Sequence, residues 1–201
     1  MSEKCGLVVS GGAWIVLAFA LVLLPLKWLI AAVVAASFHE HCHIFAIMLM
    51  GGEVKSFRVG AGGAEIHTDS MSAGKEFFST LAGPLGGLCL LFLVRWFPRV
   101  AVCAGIQSLY NLLPVYPLDG GRALYCAARW VLPPGKAEIM CEVVCNVCLC
   151  GIVILGIYGT VCLHLGFLPV LMALALLIRV KPQILLAKFL LRGYNSSNQY
   201  E

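Results

Sequence analysis

Charged residues are scarce in this sequence: they make up 12% of its 201 residues, against 61% for hydrophobic types. An average soluble domain has about 25% charged residues, so this chain lacks the polar surface that keeps a globule of its size in water. Disorder is excluded because disordered segments have low hydrophobicity. The net charge of +4 is too small to indicate a nucleic-acid partner. The composition therefore predicts an all-α polytopic membrane protein that has the lipid bilayer as its surroundings.

The sequence also lacks a cysteine pattern typical of a disulfide framework or a zinc module. It has ten cysteines, and most of them lie inside apolar stretches, where Cys serves as a small hydrophobic residue. Cys145 and Cys148 form a CxxC pair, but no second pair with metal-binding spacing follows. We therefore expect the cysteines to pack in the interior rather than to bind a metal.

Long apolar runs are what the sequence does have. A membrane-spanning helix needs about 20 mostly apolar residues, and about six runs meet or approach that length. They are Leu7–Leu24, Leu26–Met50, Phe77–Phe97, Val100–Leu113, Ile139–Leu163 and Phe167–Val180. The fourth run is short and is followed by Pro114 and Pro117, which end a helix. A helix that breaks at membrane depth is tolerated where it lines a cavity or is buried in protein, so this stretch is a candidate functional segment.

Two further segments are not predicted to span the membrane. Glu53–His67 mixes charged and apolar residues around a glycine-rich centre, which predicts a small β-hairpin at the interface. From Lys181 onward, apolar residues alternate with basic ones, as in a helix lying on an anionic leaflet. We expect one membrane domain over residues 1–193 and a polar tail over residues 194–201.

The distribution of Lys and Arg predicts the orientation of the chain. Cytoplasmic loops carry an excess of these residues. With six spans and a cytosolic N-terminus, the outer loops hold only Lys27, Arg95 and Arg99 of the 14 basic residues, and the remaining eleven lie inside. Both termini are therefore expected in the cytosol.

The second apolar run contains a motif of ionisable residues, whose burial in a membrane costs free energy. His39, Glu40 and His43 fit H-E-x-x-H, the zinc-hydrolase motif. Residues i and i+4 share one face of a helix, so both imidazoles can reach one metal ion. Glu40 is about 100° further round the helix, close enough to act on a water at the metal without binding the metal itself. His41 points to the opposite side and is excluded as a ligand.

A catalytic zinc usually has three protein ligands, so another segment must supply the third. Asp119 is the acidic residue that follows a broken span, within Asn111–Arg122. Taken alone, Pro117-Leu118-Asp119-Gly120-Gly121 would be read as a turn and a helix N-cap. Beside an intramembrane H-E-x-x-H motif, the metal-ligand interpretation is favoured.

These two motifs together resemble the site-2 protease family of intramembrane zinc metalloproteases (peptidase family M50). The resemblance rests on H-E-x-x-H at residues 39–43 and on N-x-x-P-x-x-P-L-D-G at residues 111–120, and it covers nearly the whole chain. It is closest to the branch that contains the stage IV sporulation protease. The stretch Ala82–Gly87, entering the third span, is also similar to a recurrent sequence in the family.

The resemblance implies a zinc metalloendopeptidase with one zinc ion per chain. His39, His43 and Asp119 would be its ligands, Glu40 its general base and Asn111 the residue that holds the scissile carbonyl or its oxyanion. The substrate would be a transmembrane or membrane-associated protein, cleaved near the cytosolic side in regulated intramembrane proteolysis. The location implied is a bacterial cell membrane, which the chain would cross several times. Neither the substrate nor any regulator can be named from the sequence.

Two other functions compete with this interpretation. A metal transporter would also place His and acidic residues in spans, but it predicts a ligand path across the membrane, and the outer loops contain no His, Asp or Glu. A catalytically inactive, protease-like binding protein would be expected to lose Glu40, which is present. The retained site favours the protease.

Overall fold

The structure is a computed structural model that describes residues 6–60, 63–68 and 71–164, with some of the residues between 166 and 180. Within these ranges the chain is mostly helical. The strands are β1 (Gly6–Val9), β2 (Val54–Gly60) and β3 (Gly63–Thr68). The helices are α1 (Gly11–Leu23), α2 (Leu26–Leu49), α3 (Ala73–Cys89, continued by a 3-10 turn over Leu90–Leu93), α4 (Pro98–Asn111), α5 (Asp119–Val131) and α6 (Pro134–Val161).

The predicted β-hairpin between the second and third apolar runs is confirmed. β2 and β3 pair antiparallel, with Phe57 opposite Ile66 and Arg58 opposite Glu65. The prediction that a helical span begins at Leu7 is wrong, because β1 pairs with β2 in parallel and places Leu7 opposite Phe57. β1 is apolar like the helix that follows, so composition alone does not separate them. Its hydrogen-bonding partner lies some fifty residues further along the chain.

Within the described part of the chain, three helices are long and apolar enough to cross a membrane: Leu26–Leu49, Ala73–Leu93 and Gly135–Val161. They correspond to the second, third and fifth of the six predicted spans. α1 has 13 residues and α4 has 14, which at 1.5 Å per residue gives about 20 Å, less than the hydrocarbon core of about 30 Å. The residues described between 170 and 180 are helical. The predicted basic helix from Lys181 onward lies outside the described residues.

Helices α2, α3 and α4 pack closely because their contact faces are built from small residues. α3 buries Ser79, Thr80 and Gly83, and α4 buries Ala101 and Ala104. Small residues let helix backbones approach one another where apolar burial gives no driving force. Lys75, at the start of α3, also donates a 2.7 Å hydrogen bond to the carbonyl of Met50 at the end of α2. This packing fixes α3 beside the H-E-x-x-H segment.

α5 was not predicted as an element, although its first residue was considered as a helix cap. The helix packs against α3, where Arg122 and Glu76 form a 3.6 Å ion pair and the rings of Phe77 and Trp130 contact each other at a tilt of 56°. The loop before it is anchored by Val115 and Leu118, which are buried in one cluster with residues of α6 and the 170–180 segment. The break after α4 therefore leads into a fixed turn, and α5 starts from a defined position.

Candidate metal centre

His39 and His43 lie on the buried face of α2. That face repeats every four residues and is completed by Ala31, Ala35 and Ile47. Because a four-residue step is only slightly more than one helical turn of 3.6 residues, the two imidazoles stand one above the other. The side chain of His39 is 2% exposed. A histidine pair buried this deeply in an apolar helix needs polar partners from another element.

Asp119 is that partner, and it comes from the first residue of α5. Its position depends on the two glycines that follow it. A Cβ on Gly120 would overlap the backbone of Leu112 and Leu113, and one on Gly121 would meet the backbone around Val115. The loop after α4 therefore lies directly across the first turn of α5, and it carries Asp119 to the histidines. The N-cap interpretation of this residue does not hold, since Leu118 occupies the N-cap position.

The three side chains meet at one point. Nε2 of His39 and Nε2 of His43 are 3.1 Å apart, and Oδ2 of Asp119 is 3.1 Å from the first and 3.2 Å from the second. Within the described part of the chain, these residues are the one group of three or more His, Cys, Asp or Glu residues placed to hold a metal ion. Cys145 is buried in the cluster that contains Val115 and Leu118, and Cys148 packs against that cluster, as expected for cysteines with a packing role.

The chemistry of these three atoms fits a cation. His43 donates a 2.8 Å hydrogen bond from Nδ1 to the carbonyl of Ser79. That bond places the ring proton on Nδ1 and leaves a lone pair on Nε2, which is how metal-binding histidines are usually oriented. The carboxylate oxygen of Asp119 and Nε2 of His43 then carry no proton. The three converging atoms therefore cannot all be paired by hydrogen bonds to one another, whereas a cation could bind all three. Their mutual distances are close to the spacing of about 3.3 Å expected for three ligands of a tetrahedral zinc with bonds of about 2.0–2.1 Å.

Electrostatics agrees with this arrangement. Burial alone would raise the pKa of Asp119, which lies outside the three span-length helices, but the contacts with His39 and His43 lower it to about 2. Asp119 is therefore an anion at neutral pH. Nδ1 of His39 is buried without a hydrogen-bond partner among the described residues.

Two features of α3 hold His43 in place, and sequence analysis did not identify them as such. One is the main-chain carbonyl of Ser79, which accepts the hydrogen bond from Nδ1. The other is Gly83, where an added Cβ would overlap the His43 imidazole. Gly86 makes a comparable approach to Cys42, and Gly87 to Ser108. The small residues at four-residue spacing in Gly83–Gly87 were the available signal for a close helix contact.

The remaining predicted site residues surround the cluster. Glu40 interacts electrostatically with both histidines and with Asp119, and it is partly exposed. Nδ2 of Asn111, at the end of α4, lies 3.3 Å from Nε2 of His39. His41 is exposed, and its Nδ1 donates to the carbonyl of Ser37 at 2.6 Å. The structure thus brings Glu40 and Asn111 to the cluster and leaves His41 outside it.

Comparisons with known proteins agree on the fold. A family model described as Peptidase M50B-like matches residues 12–113, a range that contains the H-E-x-x-H motif and Asn111 but ends before Asp119. Among solved structures, the chain is similar to the site-2 protease from Methanocaldococcus jannaschii, with a TM-score of 0.63 and 17% sequence identity over 90% of this chain and 91% of that one. At this identity the likeness shows the fold alone. None of the curated proteins matches the sequence.

Proposed function

Because the chain belongs to the Peptidase M50B-like family, we propose that it is an intramembrane zinc metalloprotease of the site-2 type. Its substrates would be membrane-embedded or membrane-associated proteins. The observation that carries this proposal is that Asp119 of α5 meets His39 and His43 of a span-length helix, with the three ligand atoms within 3.2 Å of one another. A relation to the stage IV sporulation protease branch remains an expectation from sequence.

In this proposal, His39, His43 and Asp119 hold one zinc ion. When bound, zinc acts as a Lewis acid that polarises a peptide carbonyl and makes water more acidic. Glu40 is next to His39 in sequence and has no hydrogen-bond partner among the described residues, so its carboxylate is available to accept a proton. Glu40 takes a proton from the attacking water and later returns it to the leaving amine.

Asn111 is proposed to stabilise the oxyanion of the scissile carbonyl. Its amide nitrogen lies 3.3 Å from a ligand atom of His39, so it borders the space in which a peptide carbonyl would meet the metal. A fixed amide donor aimed at developing negative charge supplies a few kcal/mol in a water-poor site.

A substrate helix must unwind before its carbonyls are accessible, and the edge of the β2–β3 hairpin is a candidate to pair with the extended segment.

The depth of the site supports cleavage near one side of the membrane. His43 is six residues from the end of α2 at Leu49 and seventeen from its start at Leu26. At 1.5 Å per residue these separations are about 9 Å and about 26 Å. The Leu49 end is the one that the distribution of Lys and Arg assigns to the cytosol. A metal transporter would instead need metal ligands along the whole span. Among the described residues, the candidate metal ligands lie together at a single depth.

The proposal is tested by measuring zinc in purified protein together with proteolysis in cells. We expect one zinc per chain in the wild type and a loss of zinc in His39→Ala, His43→Ala and Asp119→Ala. His41→Ala is the matched control, since it removes a neighbouring imidazole that lies outside the cluster. Proteomic comparison of cells carrying the wild type or Glu40→Gln should find membrane proteins that are shortened only with the wild type. Full zinc binding by all three ligand variants would contradict the proposed site.

A further inference from the structure

A cavity without polar lining lies between α2, the 3-10 turn and α4. Its volume is about 200 Å³, and its walls include Val34, Phe38, Leu93 and Ala101. Phe38 immediately precedes the candidate ligand His39, so the cavity reaches the depth of the metal centre on the outside of the helix bundle. Its lining suits an aliphatic chain and offers nothing to a polar ligand.

A second cavity of about 190 Å³ continues the first, since both are lined by Phe97 and Val100. The second cavity is lined in addition by Lys27, Arg99 and Trp96. Neither basic side chain forms an ion pair with any described residue. Trp is enriched at the level of the lipid headgroups. The two cavities together form a groove that is basic at the interface end and apolar towards the bilayer centre.

We propose that this groove binds an anionic phospholipid. Lys27 and Arg99 would hold its phosphate, and one acyl chain would fill the apolar cavity. Lys27 and Phe38 are eleven residues apart on α2, which is about 16 Å along the helix, and this length suits a large part of an acyl chain. A free anion would leave the apolar cavity unused, and a substrate helix would not need the two cations. Charge and shape together select an amphiphile with a negative headgroup.

Binding is measured by native mass spectrometry on full-length protein extracted from vesicles of equal parts phosphatidylglycerol and phosphatidylcholine. The wild type should retain one phosphatidylglycerol per chain in preference to phosphatidylcholine. Lys27→Gln combined with Arg99→Gln should weaken retention by about 30-fold, from two lost lipid contacts. Arg95→Gln is the matched control, because Arg95 is exposed near the same end and lines neither cavity.

The apolar half of the groove is tested separately. Val34 and Val33 are 48% and 49% exposed, and only Val34 lines the cavity. Val34→Phe should therefore weaken lipid retention while Val33→Phe leaves it unchanged. Soluble glycerol phosphate should not compete with the lipid. If the double variant is unstable, lipid retention is measured instead in the two single variants, Lys27→Gln and Arg99→Gln.

Three results would overturn the proposal: equal retention by wild type and charge variants, displacement by glycerol phosphate alone, or equal effects of the two Phe variants. Equal retention by the wild type and the charge variants would mean that the groove binds a substrate helix or no ligand. Displacement by glycerol phosphate alone would mean that it binds an anion rather than a lipid. The readout is lipid retention and does not require peptide hydrolysis. A failure here is therefore distinguishable from a failure of the proposed protease function.

Discussion

Gly83 lies against the imidazole ring of His43 so closely that a side chain at position 83 would occupy the space of the ring. One helical turn earlier, the carbonyl of Ser79 accepts the hydrogen bond of the same ring. α3 therefore positions His43 from two points without contributing a ligand itself. The short distances between the three candidate ligand atoms depend on this contact as much as on the spacing within α2.

Gly83→Ala should displace His43 and weaken zinc binding. Inserting a methyl group into a packed contact typically costs about 1–3 kcal/mol, and disturbing the support of a metal ligand typically lowers affinity about 10- to 100-fold. Zinc affinity is measured by competition with a chelator. Gly74→Ala is the matched control on the same helix, because an added Cβ there would make an ordinary 3.7 Å contact with Trp130. Equal zinc affinity in both variants would show that the Gly83 contact does not hold His43.

Glu40→Gln should keep the bound zinc and lose proteolysis, since Glu40 is not one of the three converging residues. Removing a general base typically lowers the rate by about 10²–10⁴. The measurement is the cleavage rate of a membrane protein found by the cellular comparison, together with zinc content by elemental analysis. His41→Gln, which alters the adjacent exposed side chain, should leave both unchanged. Near-normal cleavage by Glu40→Gln would remove Glu40 from the role of base.

Asn111→Ala should lower turnover by about 10²–10³, the usual loss for one oxyanion donor, with zinc content and thermal stability largely retained. Asn111→Asp should be as damaging, because it replaces the donor with a negative charge that opposes the developing one. The measurement is turnover per bound zinc in liposomes. Gln107→Ala, one turn earlier on α4, serves as the control. If Asn111→Ala lowers stability but not turnover per zinc, Asn111 is only a helix-end residue.

Single cysteines at positions 53 and 136 should react with a membrane-impermeant reagent only from the cytosolic side, and one at position 95 only from outside. The native residues Glu53, Arg95 and Lys136 are exposed, and the expectation follows from the eleven-to-three division of basic residues. The background must lack the ten native cysteines. Labelling of position 53 from outside would reverse the orientation and place the metal centre near the outer surface.

Much of the helical framework could be predicted from sequence. The second, third and fifth apolar runs became span-length helices, and the glycine-centred polar stretch became a hairpin. β1 and α5 could not be predicted in the same way. β1 is as apolar as the helix that follows, and its strand partner is distant in sequence. α5 carries prolines before it and charges within it, and it is stabilised by packing on α3.

The sequence by itself determined the membrane environment and the pairing of His39 with His43, because composition and helical periodicity are local properties. The sequence also indicated Asp119 as the third member of the group, but only the tertiary structure decided how that carboxylate reaches the two histidines. Asp119 lies 76 residues from His43, and it reaches the histidines because the loop after α4 crosses the first turn of α5 on two glycines. The support of His43 by Ser79 and Gly83 was likewise decided by helix packing. Every residue has a backbone carbonyl, and a glycine indicates a close contact without identifying the residue it contacts.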